Sequence, residues 1–183
     1  MSFGIVRDTS IGFSSDSIER MKRTLASLVV ILSLVMGTMT SVWAADYEKE
    51  WEAYSNKDYA TALREFRPLA EQGDVDAQYN LGVMYEYGEG INQDYKEAVK
   101  WYRLAAEQGE ATAQGNLGGM YGNGQGVIQD NVMAHMWLDI GASNGSTNAA
   151  KNRDIVAKRM NESQLAEAQK LARECVARNY KGC

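Results

Sequence analysis

Histidine and cysteine are scarce in this sequence, and the spacing of the side chains that could catalyse decides against most reactions. His135 is the single histidine of 183 residues, so a two-histidine zinc site of the H-E-x-x-H kind is excluded. Asp139 follows it by four residues, a spacing that pairs the two on a helix surface as an ordinary contact. No Ser-x-x-Lys occurs, so the acylation signature of β-lactamases and penicillin-binding proteins is absent. The stretches Gly88-x-Gly90 and Gly122-x-Gly124-x-Gly126 look like phosphate cradles only superficially. Neither is followed by Gly-Lys-Ser/Thr or preceded by a strand-like run, so both read as turns. No cofactor, metal or catalytic residue is expected.

The two cysteines, Cys175 and Cys183, stand at the very end of the chain. In an oxidising compartment they are expected to form a disulfide closing a loop through Tyr180. Export is predicted independently at the other end. Lys22 and Arg23 follow Met21, Leu25 to Met36 is an almost unbroken apolar run, and Val42-Trp43-Ala44 is an A-x-A-like site. This order predicts a signal peptide over 21–44, cleavage at Ala44 and a mature chain from Ala45, with residues 1–20 a non-native extension. The apolar run is too short to remain as a membrane span, and no cysteine near the cleavage point offers a lipid anchor. A periplasmic or secreted monomer is the expectation.

Residues 45–150 hold 7 basic and 17 acidic side chains, and residues 151–183 hold 8 basic and 4 acidic. Phosphate binding needs clustered Lys and Arg, so the acidic body excludes nucleic acid as a partner.

An internal repeat must position these residues. Sliding the chain by 36 residues lays 58–93 on 94–129 with 18 identities and no gap, and a decayed third copy begins at Asp130. Ala77, Leu81, Met84 and Tyr85 form one helical stripe, ended by Gly88 and Gly90. Asp94 is placed as an N-cap with Glu97 completing a capping-box-like pair. Ala98, Trp101, Tyr102, Ala105 and Ala106 give a second stripe, closed by Gly109 as a C′ glycine. Pro68 should kink the first helical segment. Tyr47 to Asn56 reads as an N-terminal capping helix within 45–57, carrying Trp51 and Tyr54 on its apolar edge. Repeats then fill 58–160, and a C-terminal cap and tail occupy 161–183, opened by Asn161 and Gln164. The fold class is all-α, a solenoid of helix-turn-helix units that bury their faces by stacking.

The run from Ala77-x-x-x-Leu81-Gly82-x-Met84-Tyr85 through Gly88-x-Gly90, Asp94, Ala98, Trp101-Tyr102 and Ala105-Ala106 to Gly109 resembles the Sel-1-like repeat, a relative of the tetratricopeptide repeats. It recurs from Ala113 to Gly145, with Leu138 in place of the tyrosine and Gly141 in place of an alanine. The resemblance implies a right-handed α-solenoid acting chiefly as an adaptor for protein partners. A cysteine-rich exported subgroup is linked with β-lactam binding and hydrolysis. This chain has no cysteine in its repeats, so that activity does not carry across.

Positions that differ between copies are free of the stacking duty. On the first helix of each Ala77-to-Gly109-type unit these are Tyr79, Val83, Glu86 and Tyr87, against Gly115, Gly119, Gly122 and Asn123. Each glycine costs about 1 kcal/mol against alanine inside a helix. Two explanations stand: close packing against a neighbouring element, or a trough that receives a protein or peptide. The function expected is a non-catalytic binding module. An envelope hydrolase of the β-lactam or cell-wall-binding kind is the alternative.

Overall fold

The computed structural model describes residues 52–183, and their regular structure is entirely helical. The signal segment, its cleavage site at Ala44 and residues 47–51 of the expected capping helix lie outside these residues. Seven helices follow a helical turn at 52–55: α1 (Tyr59–Glu71), α2 (Val75–Tyr87), α3 (Tyr95–Ala106), α4 (Ala111–Asn123), α5 (Asn131–Ser143), α6 (Thr147–Ala157) and α7 (Glu162–Ala177).

The 36-residue sequence period is a structural one because its punctuation repeats. Asp58, Asp94 and Asp130 each cap a helix with the side chain, accepting from Thr61 N at 3.2 Å, Lys96 N at 2.9 Å and Val132 N at 2.8 Å. Gly88 and Gly124 end α2 and α4 in the left-handed conformation, φ 73° and 70°. Glu97 departs from the expected capping box, its carboxylate pairing instead with Lys100 at 3.1 Å. The box at Asn161 and Gln164 forms in both directions. Pro68 is exposed, and α1 continues through it to Glu71.

Side chains 36 residues apart occupy equivalent core sites. Ala62, Ala98 and Ala134 are fully buried, as are Leu81 and Leu117, with Phe66, Tyr102 and Leu138 filling one larger site in turn. Glycine is required where these large groups cross α2 and α4. A Cβ at Gly82 would lie 2.5 Å from the Tyr102 ring, and one at Gly118 would lie 2.7 Å from Leu138.

The loops are tied by a second periodic device. Gln78 donates to Ala70 O at 3.0 Å and accepts from Gln108 at 2.8 Å. One period on, Gln114 donates to Ala106 O at 3.0 Å and accepts from Asn144 at 2.9 Å. Asn144 in turn donates to the Tyr180 hydroxyl at 3.2 Å.

The third copy breaks the pattern. α6 packs on α4 and α5, but α7 lies against α5 instead of closing a hairpin with α6. Ala168, Ala172 and Cys175 are the buried stripe that turns α7 this way. The disulfide joins Cys175 to Cys183 with Cα atoms 5.6 Å apart. The tail does not sit clear of the repeats: the Tyr180 ring comes within 3.4 Å of where a Cβ on Gly109 would stand.

Candidate functional site

The eight singled-out positions fall on α2 and α4, and they do not share one role. Tyr79 is half-buried, its ring centroid 6.0 Å from that of Tyr102 at a 40° tilt. Burial, with the negative charges of Glu110 and Glu86, pushes its phenol above the usual range. Val83 packs partly buried against the core. Glu86 accepts a 2.6 Å hydrogen bond from the hydroxyl of fully buried Tyr102. Burial first and that hydrogen bond second hold the Tyr102 phenol far above its ordinary value. Of the four, only Tyr87 is broadly exposed, at 67%.

The exchange of Glu86 for Gly122 follows from the core. In the second unit Leu138 occupies the site of Tyr102, so no buried hydroxyl needs an acceptor. A carboxylate retained there would be half-buried and unsatisfied, which costs free energy.

Close packing accounts for part of the trough and an opening for the rest. A Cβ on Gly115 would lie 3.2 Å from the Ala149 Cβ and 3.5 Å from Ser146 Oγ, so the start of α6 covers that end. Gly122 would meet Ala134 and Val156 at an ordinary 3.6 Å. Gly119 faces open space, with nothing within 4 Å. It lies in a cavity of about 230 Å³ bordered by Asn123 of α4 and by Asn152, Ile155 and Arg159 of the α6 segment. Those last three were not among the predicted positions. The signal was in the period, since 36 residues beyond Asn116, Gly119 and Asn123 stand Asn152, Ile155 and Arg159.

His135 is not on the surface. It is 5% exposed, and its Nδ1 has no hydrogen-bond partner among the described residues. Asp139 binds Arg153 at 3.0 Å instead. Burial lowers the imidazole pKa below its ordinary value. G-x-S-x-G occurs once, as Gly141-Ala142-Ser143-Asn144-Gly145, a spacing that hydrolases use on a strand-to-helix elbow. Here Ser143 is the exposed last residue of α5, and no hydrogen bond links it to His135 two turns back along the same helix. Among the described residues no three of His, Cys, Asp or Glu stand where they could hold a metal ion.

Known proteins place this arrangement. A crystal structure of c5321, a protective antigen present in uropathogenic Escherichia coli strains and displaying an SLR fold, superposes with TM-score 0.69 at 30% identity. The similarity covers 75% of this chain and 31% of that one. A Sel1 repeat protein from Oxalobacter formigenes matches at TM-score 0.55 and 32% identity, over 57% of this chain and 43% of that one. The chain thus spans about a third of the first structure and less than half of the second. No curated protein sequence matches it. The Sel1 repeat family model matches residues 75–110 and 111–146, the hairpins α2–α3 and α4–α5. Residues 75–146 therefore carry two Sel1 repeats, and the described residues fold as the all-α solenoid that such repeats build.

Proposed function

We propose that the chain is an exported, non-catalytic module that holds a segment of a protein partner on its row of first helices, α2, α4 and α6. Sel1 repeats are generally protein–protein interaction modules. The disulfide suits an oxidising compartment. No described helix is long and apolar enough to cross a membrane. In this reading residues 21–44 are removed as a signal peptide and 58–160 carry the binding face of a monomer.

The observation that carries the proposal is the open space over Gly119. Helix glycines are tolerated when something needs the room, and at Gly119 the protein itself puts nothing there. Tyr87 and Asn123 extend the same row with exposed side chains. A hydrolase would need a nucleophile paired with a base, and the Ser143 side chain makes no hydrogen bond to one among the described residues.

A photo-crosslinking residue at Tyr87 or Asn123 in the exported protein should trap a protein partner in cells. The same residue at Leu104, exposed on the second helix α3, should not. Gly119→Leu should abolish the crosslink while the melting temperature stays level or rises, since the helix gains about 0.8 kcal/mol of propensity. Trapping at Leu104 alone, or a collapsed melting curve for Gly119→Leu, refutes the binding face. Intact mass of the exported protein should begin at Ala45.

A further inference from the structure

We infer that the cavity over Gly119 is a socket for one bulky apolar side chain neighbouring an Asp or Glu, presented by an extended segment of a partner protein. The inference deepens the binding reading above and rests on it. Three repeat positions form rows across the first helices: Asn80, Asn116 and Asn152; Val83, Gly119 and Ile155; Tyr87, Asn123 and Arg159. In the middle row the missing side chain sits between two aliphatic ones. Leu138 and Val156 complete the apolar lining, and Ile155 remains 49% exposed beside it.

Size narrows the occupant. A cavity of about 230 Å³ falls short of the roughly 300–1,000 Å³ that encloses a free small molecule. It suits one large side chain with its flanking backbone.

The rim supplies the chemistry on either side. The Asn152 side chain makes no hydrogen bond among the described residues, and its amide offers the donor and acceptor that a passing peptide unit needs. Arg159 is in no ion pair among them. Asp154, five residues before it, and Asp139 on the facing helix are both held by Arg153, at 3.1 Å and 3.0 Å, and Glu162, three residues after it, is in no ion pair among the described residues. An unpaired guanidinium next to an apolar socket selects a carboxylate, which it can grip with two hydrogen bonds. The 17 acidic residues of 45–150 repel a longer acidic tract, so one carboxylate beside one apolar anchor is the pattern selected.

The test pans a phage-displayed library of random linear peptides on the full chain and measures binding of the enriched peptides by fluorescence anisotropy. Enriched sequences should share a Leu, Ile, Met or Phe next to Asp or Glu. Gly119→Leu and Arg159→Glu should each weaken them by about 10-fold or more. Exchanging the peptide's acidic residue for Lys should restore binding to Arg159→Glu, which a merely destabilised protein would not show. Enriched peptides that lack the acidic residue, or that bind both variants as well as the parent, overturn the socket while leaving peptide binding in place. A concentration-dependent dimer abolished by Gly119→Leu overturns it in favour of a second copy. No enrichment at all overturns the binding reading itself.

Discussion

His135 is the residue whose chemistry most misleads. Its equivalents one and two periods earlier are Val99 and Leu63, so the imidazole fills a site that is apolar in the other copies. That explains both its burial and its unpartnered Nδ1. Asp139, Asp154 and Arg153 face it with charge, but burial dominates and lowers its pKa. The unfolded chain therefore binds a proton more readily than the folded one. The His135 contribution to stability is intact above the unfolded value of about 6.5 and is lost as the pH falls through and below it. His135→Val should flatten this dependence and leave the protein as stable as, or more stable than, the parent at pH below about 6. Melting curves at a series of pH values compare the two, since every other carboxylate and cation is shared. Parallel curves would show that the imidazole is hydrated or paired in solution.

At the scale of the helix, most of the architecture was legible from spacing. Caps at Asp94, Asp130 and Asn161, glycine stops at Gly88 and Gly124, and the two stripes of each unit are local features, and local features are what a period exposes. What escaped depended on a third element. Gly115 needed knowledge that α6 lies on it, and Gly122 needed the pairing of Glu86 with Tyr102. The path of α7 escaped because its own stripe fits more than one surface, although Tyr180 lies one period beyond Asn144 and bonds to it. The disulfide holds Tyr180 against Gly109 and Asn144, and so fastens the tail to the repeats. Cys183→Ser opens a nine-residue ring, with an expected loss of about 2–3 kcal/mol. Because Cys175 is fully buried against the core, that loss should appear as faster amide hydrogen exchange in α7 and around Asn144. Amides in α2 and the first turns of α4 should keep their protection. Equal acceleration in all helices would place the bridge in the global stability instead.

For the whole molecule the question is how far one unit feels the next. Solenoid stability is approximately a sum of unit terms and nearest-neighbour interfaces, so cooperativity lives in contacts that cross units. Apolar stacking supplies most of that, but the amide ladder adds a contact with direction and stoichiometry. Gln114 is its centre: fully buried, donating back to Ala106 at the end of α3 and accepting from Asn144 beyond α5. Gln114→Met keeps the shape and removes both bonds. The Ala106 carbonyl keeps its bond from Gly109 N and the Asn144 amide its bond to Tyr180, so the expected cost is the net value of two hydrogen bonds, about 1–3 kcal/mol. If the ladder couples units, the denaturant slope m should fall as well, because the part before the break and the part after it then unfold separately. Gln72→Met is the control, since that exposed amide bonds only to Pro68 within its own helix turn and should shift neither quantity appreciably. A Gln114→Met midpoint that moves with m unchanged would mean the ladder adds stability without coupling. Binding over Gly119, between α4 and α6, would then be felt only by those two helices and α5, and not by α2.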